Sequence, residues 1–158
     1  MGIYHALSVR LTSQHESIPF LISGVSEERL LKRPASGKWS VNENIAHLAI
    51  YQPVFIKRIN QILSSDRPSF ERYNSDNDPE FKTWRALSSG ELINRIQTDR
   101  QTIIKLLTKL SEAELSRIGI HLKYGNLNIL KWTEFFILHE AHHLFTIFQL
   151  VNNVDGKA

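Results

Sequence analysis

From Asn128 to about Asn152 the chain reads as one long helix that is apolar nearly all round, yet it carries His139, His142 and His143 within five residues. Buried imidazoles are costly unless something binds their ring nitrogens. On a helix turning about 100° per residue, His143 lies one turn above His139 and about 40° around from it. Trp132, Phe135, Phe136, Thr146, Ile147 and Leu150 share that sector, so both rings face the apolar stripe, with His142 at its margin. Two imidazoles spaced in this way can share one metal ion.

Three further helical patterns precede this one. The first spans about Ala6 to Ser23, with Leu7, Leu11, Ile18, Leu21 and Ile22 at apolar positions. The second starts at a capping box, Ser40-Val41-Asn42-Glu43, and runs to about Leu63 with a bend expected at Pro53. The third runs from Ser88 or Ser89 to about Leu110. Between the second and third, from Ser64 to Ser88, turn residues alternate with Phe70, Tyr73, Phe81 and Trp84. That stretch reads as a crossover loop able to border a pocket. A short capped turn over 111–115 and an extended piece with a tight turn over 118–127 lead into the last helix. The expected fold class is all-α, a four-helix bundle forming a single domain over residues 1–158.

The second helix brings in His47, which projects with Val54 and Ile62 and is flanked by Glu43, Tyr51 and Arg58. Two readings stand for these histidines. They are core imidazoles satisfied by backbone and hydroxyl groups, or His47, His139 and His143 are three ligands of one ion. Three inward imidazoles from two helices favour the metal. Glu43 is a lesser candidate as fourth ligand, since its capping role already accounts for it; Glu140 projects about 100° from His139, too far round to ligate. His5, His15 and His121 read as surface or packing residues, and His142 as a group supporting the site from behind. Tyr51 and Arg58 are candidate substrate contacts; their competing role is packing and a charge carried to the surface.

Cysteine is absent, so thiolate metal sites and cysteine nucleophiles are excluded, and imidazole and carboxylate ligands suit zinc, nickel, iron or manganese. The net charge of +3 is spread among opposing acids without a basic run, which argues against a nucleic-acid partner. No apolar run reaches the ~20 residues of a membrane span, and no signal peptide is legible, so a cytoplasmic location is expected.

Three segments together resemble the DinB/YfiT-like superfamily of metal-binding four-helix bundles. Trp39-Ser40-Val41-Asn42-Glu43-Asn44-Ile45-Ala46-His47-Leu48 is similar to its tryptophan-led segment ending in His-Leu, and 124–129 to its glycine turn before the last helix. His139-Glu140-Ala141-His142-His143-Leu144 resembles its terminal His-x-x-x-His element. The resemblance implies that His47, His139 and His143 bind a divalent ion, zinc or nickel, and that the protein is a homodimer. It further implies a small-molecule substrate, with thiol S-transfer of the bacillithiol type to an electrophile as the leading activity. A metal-dependent hydrolase, or a metal-binding stress protein without catalysis, is the alternative. Gln52-Pro53 departs from the family pattern, where an acidic residue is common, and is expected to alter either the groups behind the ligands or the pocket wall. The face of the last helix opposite the histidines, with Leu130, Ile137, Leu144 and Phe148, is the expected dimer surface.

Overall fold

The computed structural model describes residues 2–153; the two ends of the expected 1–158 domain lie outside the described residues. The helices are α1 His5–Ser13, α2 Ser17–Leu21, α3 Glu27–Leu31, α4 Val41–Ser64, α5 Pro79–Trp84, α6 Ser89–Thr108, α7 Glu112–Leu115 and α8 Ile129–Asn152. The first of the four expected helices is broken into α1 and α2 by a 3-10 turn over Gln14–Glu16. Pro19 gives the reason: lacking an N–H, it would leave the His15 carbonyl without a donor in a continuous helix. Ser13 and Ser17 hydroxyls instead bond the carbonyls of Val9 (2.6 Å) and Gln14 (2.7 Å).

The bundle is formed by α1–α2, α4, α6 and α8, with α4 packed on both α6 and α8. The capping box of α4 is formed as the sequence implies, and the same device starts α6 at Ser88/Glu91 and α7 at Ser111/Glu114. No helix among the described residues is long and apolar enough to cross a membrane.

The four-helix bundle expected from the sequence is present, and it carries one addition, a small three-stranded sheet at one end. β1 Ser69–Phe70 pairs in parallel with β2 Ile118–His121, which pairs antiparallel with β3 Gly125–Asn128. The 64–88 connection is therefore partly ordered into β1, a 3-10 turn over Ser75–Asn77 and α5. β2 lies close on α4: a Cβ at Gly119 would stand 2.7 Å from Ile62 Cδ1, so only glycine fits there. The sheet thus brings Phe70 and His121 down beside the second half of α4.

Two apolar clusters fill the bundle, one around Phe55, Trp132 and Phe136, the other around Ile45, Leu48, Phe81 and Ile147. Between them along the helices lies a polar layer. Gln52 falls between Ile50 and Phe55, Arg100 between Ile96 and Ile103, and Glu140 between Ile137 and Ile147. Arg100 and Glu140 are 0 % and 1 % exposed and form an ion pair. One residue of the face expected to pair two chains lies inside the bundle. Ile137 is fully buried against the cluster that holds Leu7 and Leu11 of α1, whereas the exposed apolar residues of α8 are Leu138, Phe145 and Phe148.

Candidate metal centre

α4 and α8 bring His47, His139 and His143 together, and one ring nitrogen from each lies within 4.8 Å of the others. The ring centroids are 4.5–4.9 Å apart in all three pairings. The decisive detail is which nitrogen faces inward. His143 Nδ1 donates to Asn44 Oδ1 at 2.8 Å, and His47 Nδ1 hydrogen-bonds the buried hydroxyl of Ser75. Donation from Nδ1 leaves the lone pair of His143 on Nε2, and the Ser75 hydroxyl, where it accepts from His47 Nδ1, leaves the His47 lone pair on Nε2 as well. His47 Nε2 and His139 Nε2 stand 2.9 Å apart. At that separation the two nitrogens either share a proton in an N–H···N hydrogen bond or turn both lone pairs to one cation. The donor set, three neutral imidazoles with an open side, fits a divalent ion of the zinc class.

The surroundings keep the rings neutral. Burial lowers the pKa of His47 to about 2, that of His143 to about 3 and that of His139 to about 4, and neighbouring imidazoles add to the effect in each case. His139 Nδ1 is buried without a hydrogen-bond partner among the described residues.

The cluster forms one wall of a cavity of about 520 Å³. Trp39, whose ring is 5.1 Å from that of His47, closes one side; Tyr73, Asn74, Ser75 and Asp76 of the connection between α4 and α5 close another. The expectation that this stretch borders a pocket is met by those residues. Tyr51 and Arg58 also line the cavity. The Tyr51 ring lies 4.6 Å from that of His139, and its hydroxyl accepts a hydrogen bond from Arg58 Nη1 at 3.3 Å. Arg58 is only 7 % exposed, so it is not a charge carried to the surface.

Glu43 stays out of the cluster: its carboxylate bonds the Ser40 amide (2.9 Å) and Arg33 Nε (2.8 Å). Glu140 turns away to Arg100. His142 is exposed at the cavity edge and meets His143 ring to ring, while the supporting hydrogen bonds come from Ser75 and Asn44 instead. Gln52 does not reach the pocket wall; its Oε1 accepts from Arg100 Nε at 3.2 Å. Asn44 could have been found in the sequence, since it sits one turn before His47. Ser75 could not, because its approach depends on how the connection folds. His5 is exposed, whereas His15 and His121 are buried.

The comparisons with known proteins agree with this architecture. YfiT from Bacillus subtilis, described as "a probable metal-dependent hydrolase with an unusual four-helix bundle topology", superposes with a TM-score of 0.81 at 16% identity, over 94% of this chain and 86% of that one. "Putative metal-dependent hydrolase OB0413" of Oceanobacillus iheyensis is 21% identical over 141 residues, 86% of this chain and 78% of the relative. The uncharacterized protein YuaE of Bacillus subtilis is 20% identical over 149 residues, 85% of this chain and 90% of the relative. The model of the DinB superfamily matches residues 10–147, and with so much of its length covered the chain belongs to that superfamily.

Proposed function

We propose that His47, His139 and His143 hold one divalent metal ion, zinc or nickel, and that the protein is a metal-dependent hydrolase of a small molecule bound in the adjoining cavity. The observation that carries this reading is the fixing of His47 and His143 through their Nδ1 atoms, by Ser75 and Asn44, with one ring nitrogen of each and of His139 gathered within 4.8 Å of the others. The inward nitrogens of His47 and His139 are each other's partners among the described residues, and a cation between them would engage the lone pair of each. The names of YfiT and OB0413 support the hydrolytic class. Bound at this centre, a divalent ion supplies Lewis acidity and lowers the pKa of a coordinated water or thiol.

The protein's own groups set the rest. Trp39 and Tyr73 wall off the cluster from two sides, and Ser75 and Asn44 hold the rings in orientation. Because Arg58 donates to the Tyr51 hydroxyl, the proton of that hydroxyl is free to point into the cavity and serve a leaving group. Burial raises the Tyr51 pKa against the opposing pull of Arg58, so the phenol stays protonated.

A second reading, transfer of a low-molecular-weight thiol to an electrophile, is favoured by one observation. The nearest glutamates in sequence, Glu43 and Glu140, are committed to Arg33 and Arg100, leaving neither to act as general base. A thiol needs no such base once its pKa is lowered. The test is turnover of a panel of small esters and amides, and of bacillithiol with monochlorobimane, before and after chelation. Ester or amide turnover lost on chelation and in His143→Ala upholds the hydrolase; bimane conjugation with the same dependence selects the transferase. Turnover insensitive to both treatments contradicts the metal-dependent reading.

A further inference from the structure

Two guanidinium groups are buried among the described residues, and their surroundings differ. Arg100 is neutralised by Glu140. Arg58 has no carboxylate partner among the described residues: its Nη2 donates to the Glu71 carbonyl at 2.7 Å and its Nη1 to the Tyr51 hydroxyl, both uncharged acceptors. Its carbon is stacked 5.5–5.9 Å from the rings of Tyr51, Phe70 and Trp132, which fix the side chain without cancelling its charge. A buried cation left unpaired is costly, so this one is either a defect or half of a site.

The same cavity wall is rich in donors. His121 is 2 % exposed and its Nδ1 accepts from the backbone amides of Lys123 (3.0 Å) and Tyr124 (3.3 Å). That assigns the proton to Nε2, making the ring a neutral donor. Arg72 adds a second guanidinium from the exposed side of the wall, and the charges of both arginines reach His139. Asp76, the one carboxylate lining the cavity among the described residues, is exposed, and its charge acts on Arg33 outside this wall.

We propose that Arg58, with His121 Nε2 and Arg72, forms a subsite for an oxyanionic group of the substrate, a carboxylate or a tetrahedral oxyanion. The substrate is then a small acid whose reacting group lies at the three histidines, one tyrosine ring away from its charged end. The direction of the substrate in the cavity rests on the metal-site reading above; the anion preference of Arg58 does not.

The test measures binding to Co²⁺-loaded protein through the visible absorption of the ion. The probes are 3-mercaptopropionate, 2-mercaptoethanesulfonate and the neutral 3-mercapto-1-propanol. An acidic thiol is expected to bind about 10- to 100-fold more tightly than the alcohol, the effect of a charge-assisted hydrogen-bonded pair. Preference for the carboxylate or for the sulfonate identifies which oxyanion fits. In Arg58→Gln the preference disappears while Co²⁺ affinity holds; Arg58→Lys, which keeps the charge and loses the fork, retains part of it. Equal affinity for acid and alcohol, or a preference unchanged in Arg58→Gln, overturns the subsite. If Co²⁺ is not taken up, the metal reading fails by itself. The same titration is then read in metal-free protein by tryptophan emission, Trp132 lying beside Arg58. An Arg58-dependent response to the acids upholds the subsite there, and its absence overturns it.

Discussion

Glu140→Gln removes one charge from the middle of the bundle and touches no proposed ligand. The carboxylate is 1 % exposed and binds Arg100 through both oxygens, with Gln14 Nε2 donating to Oε1 at 3.0 Å. After the substitution the guanidinium keeps only neutral acceptors, Gln52 Oε1 at 3.2 Å and the Leu11 carbonyl at 3.1 Å. Breaking a fully buried pair in this way costs about 3–5 kcal/mol, because one charge is left uncompensated. For a chain of this size each kcal/mol lowers the melting temperature by about 2–4 °C, so a fall of about 6–20 °C is expected. Urea denaturation of the metal-free protein, followed by circular dichroism, gives the free energy. Arg100→Met combined with Glu140→Leu removes both charges and should recover most of the loss. A single-variant cost under about 1 kcal/mol, the range of exposed pairs, would refute the reasoning. So would a double variant no more stable than the single ones.

Acid should unfold the metal-free protein early. The folded-state pKa values of His47, His139 and His143, about 2, 4 and 3, lie below the ~6.5 of an unfolded chain. The unfolded state therefore takes up protons that the folded state refuses. Stability is full above about pH 6.5 and declines as pH falls toward the folded values. The urea midpoint should drop between pH 7 and 5, less steeply in His139→Phe; a flat profile contradicts this. Asn44→Ala and Ser75→Ala, which free the outer nitrogens of His143 and His47, should each weaken metal affinity about 10- to 100-fold. Competition with a chromophoric chelator measures it, and unchanged affinity would show that these hydrogen bonds do not orient the ligands.

The convergence of His47 with His139 and His143 was legible because helical periodicity alone fixes which way each ring faces. The bounds of α4 and α8 followed from the same logic, through the Ser40 cap and the Asn128 start. The break between α1 and α2 was not read from the sequence, because apolar spacing continues on both sides of Pro19. The sheet went unrecognised as a sheet because β1 is only two residues long and pairs with β2 across some fifty residues of chain. Arg100 carried a readable signal, since it occupies a core position in the run Ile96, Ile103, Leu107. An arginine there demands a buried acid, which Glu140 supplies. Arg58 showed its face from spacing but not its burial, because Phe70 and His121, which cover it, arrive through the sheet.

The central claim is that three imidazoles hold one ion, and metal content tests it most directly. Protein purified without a histidine tag should carry one zinc or nickel ion per chain by elemental analysis. His47→Ala and His143→Ala should each lose it while keeping a cooperative unfolding transition. Wild-type protein that folds with no stoichiometric metal and takes none up on dialysis against zinc or nickel would contradict the account, as would full metal content in either variant.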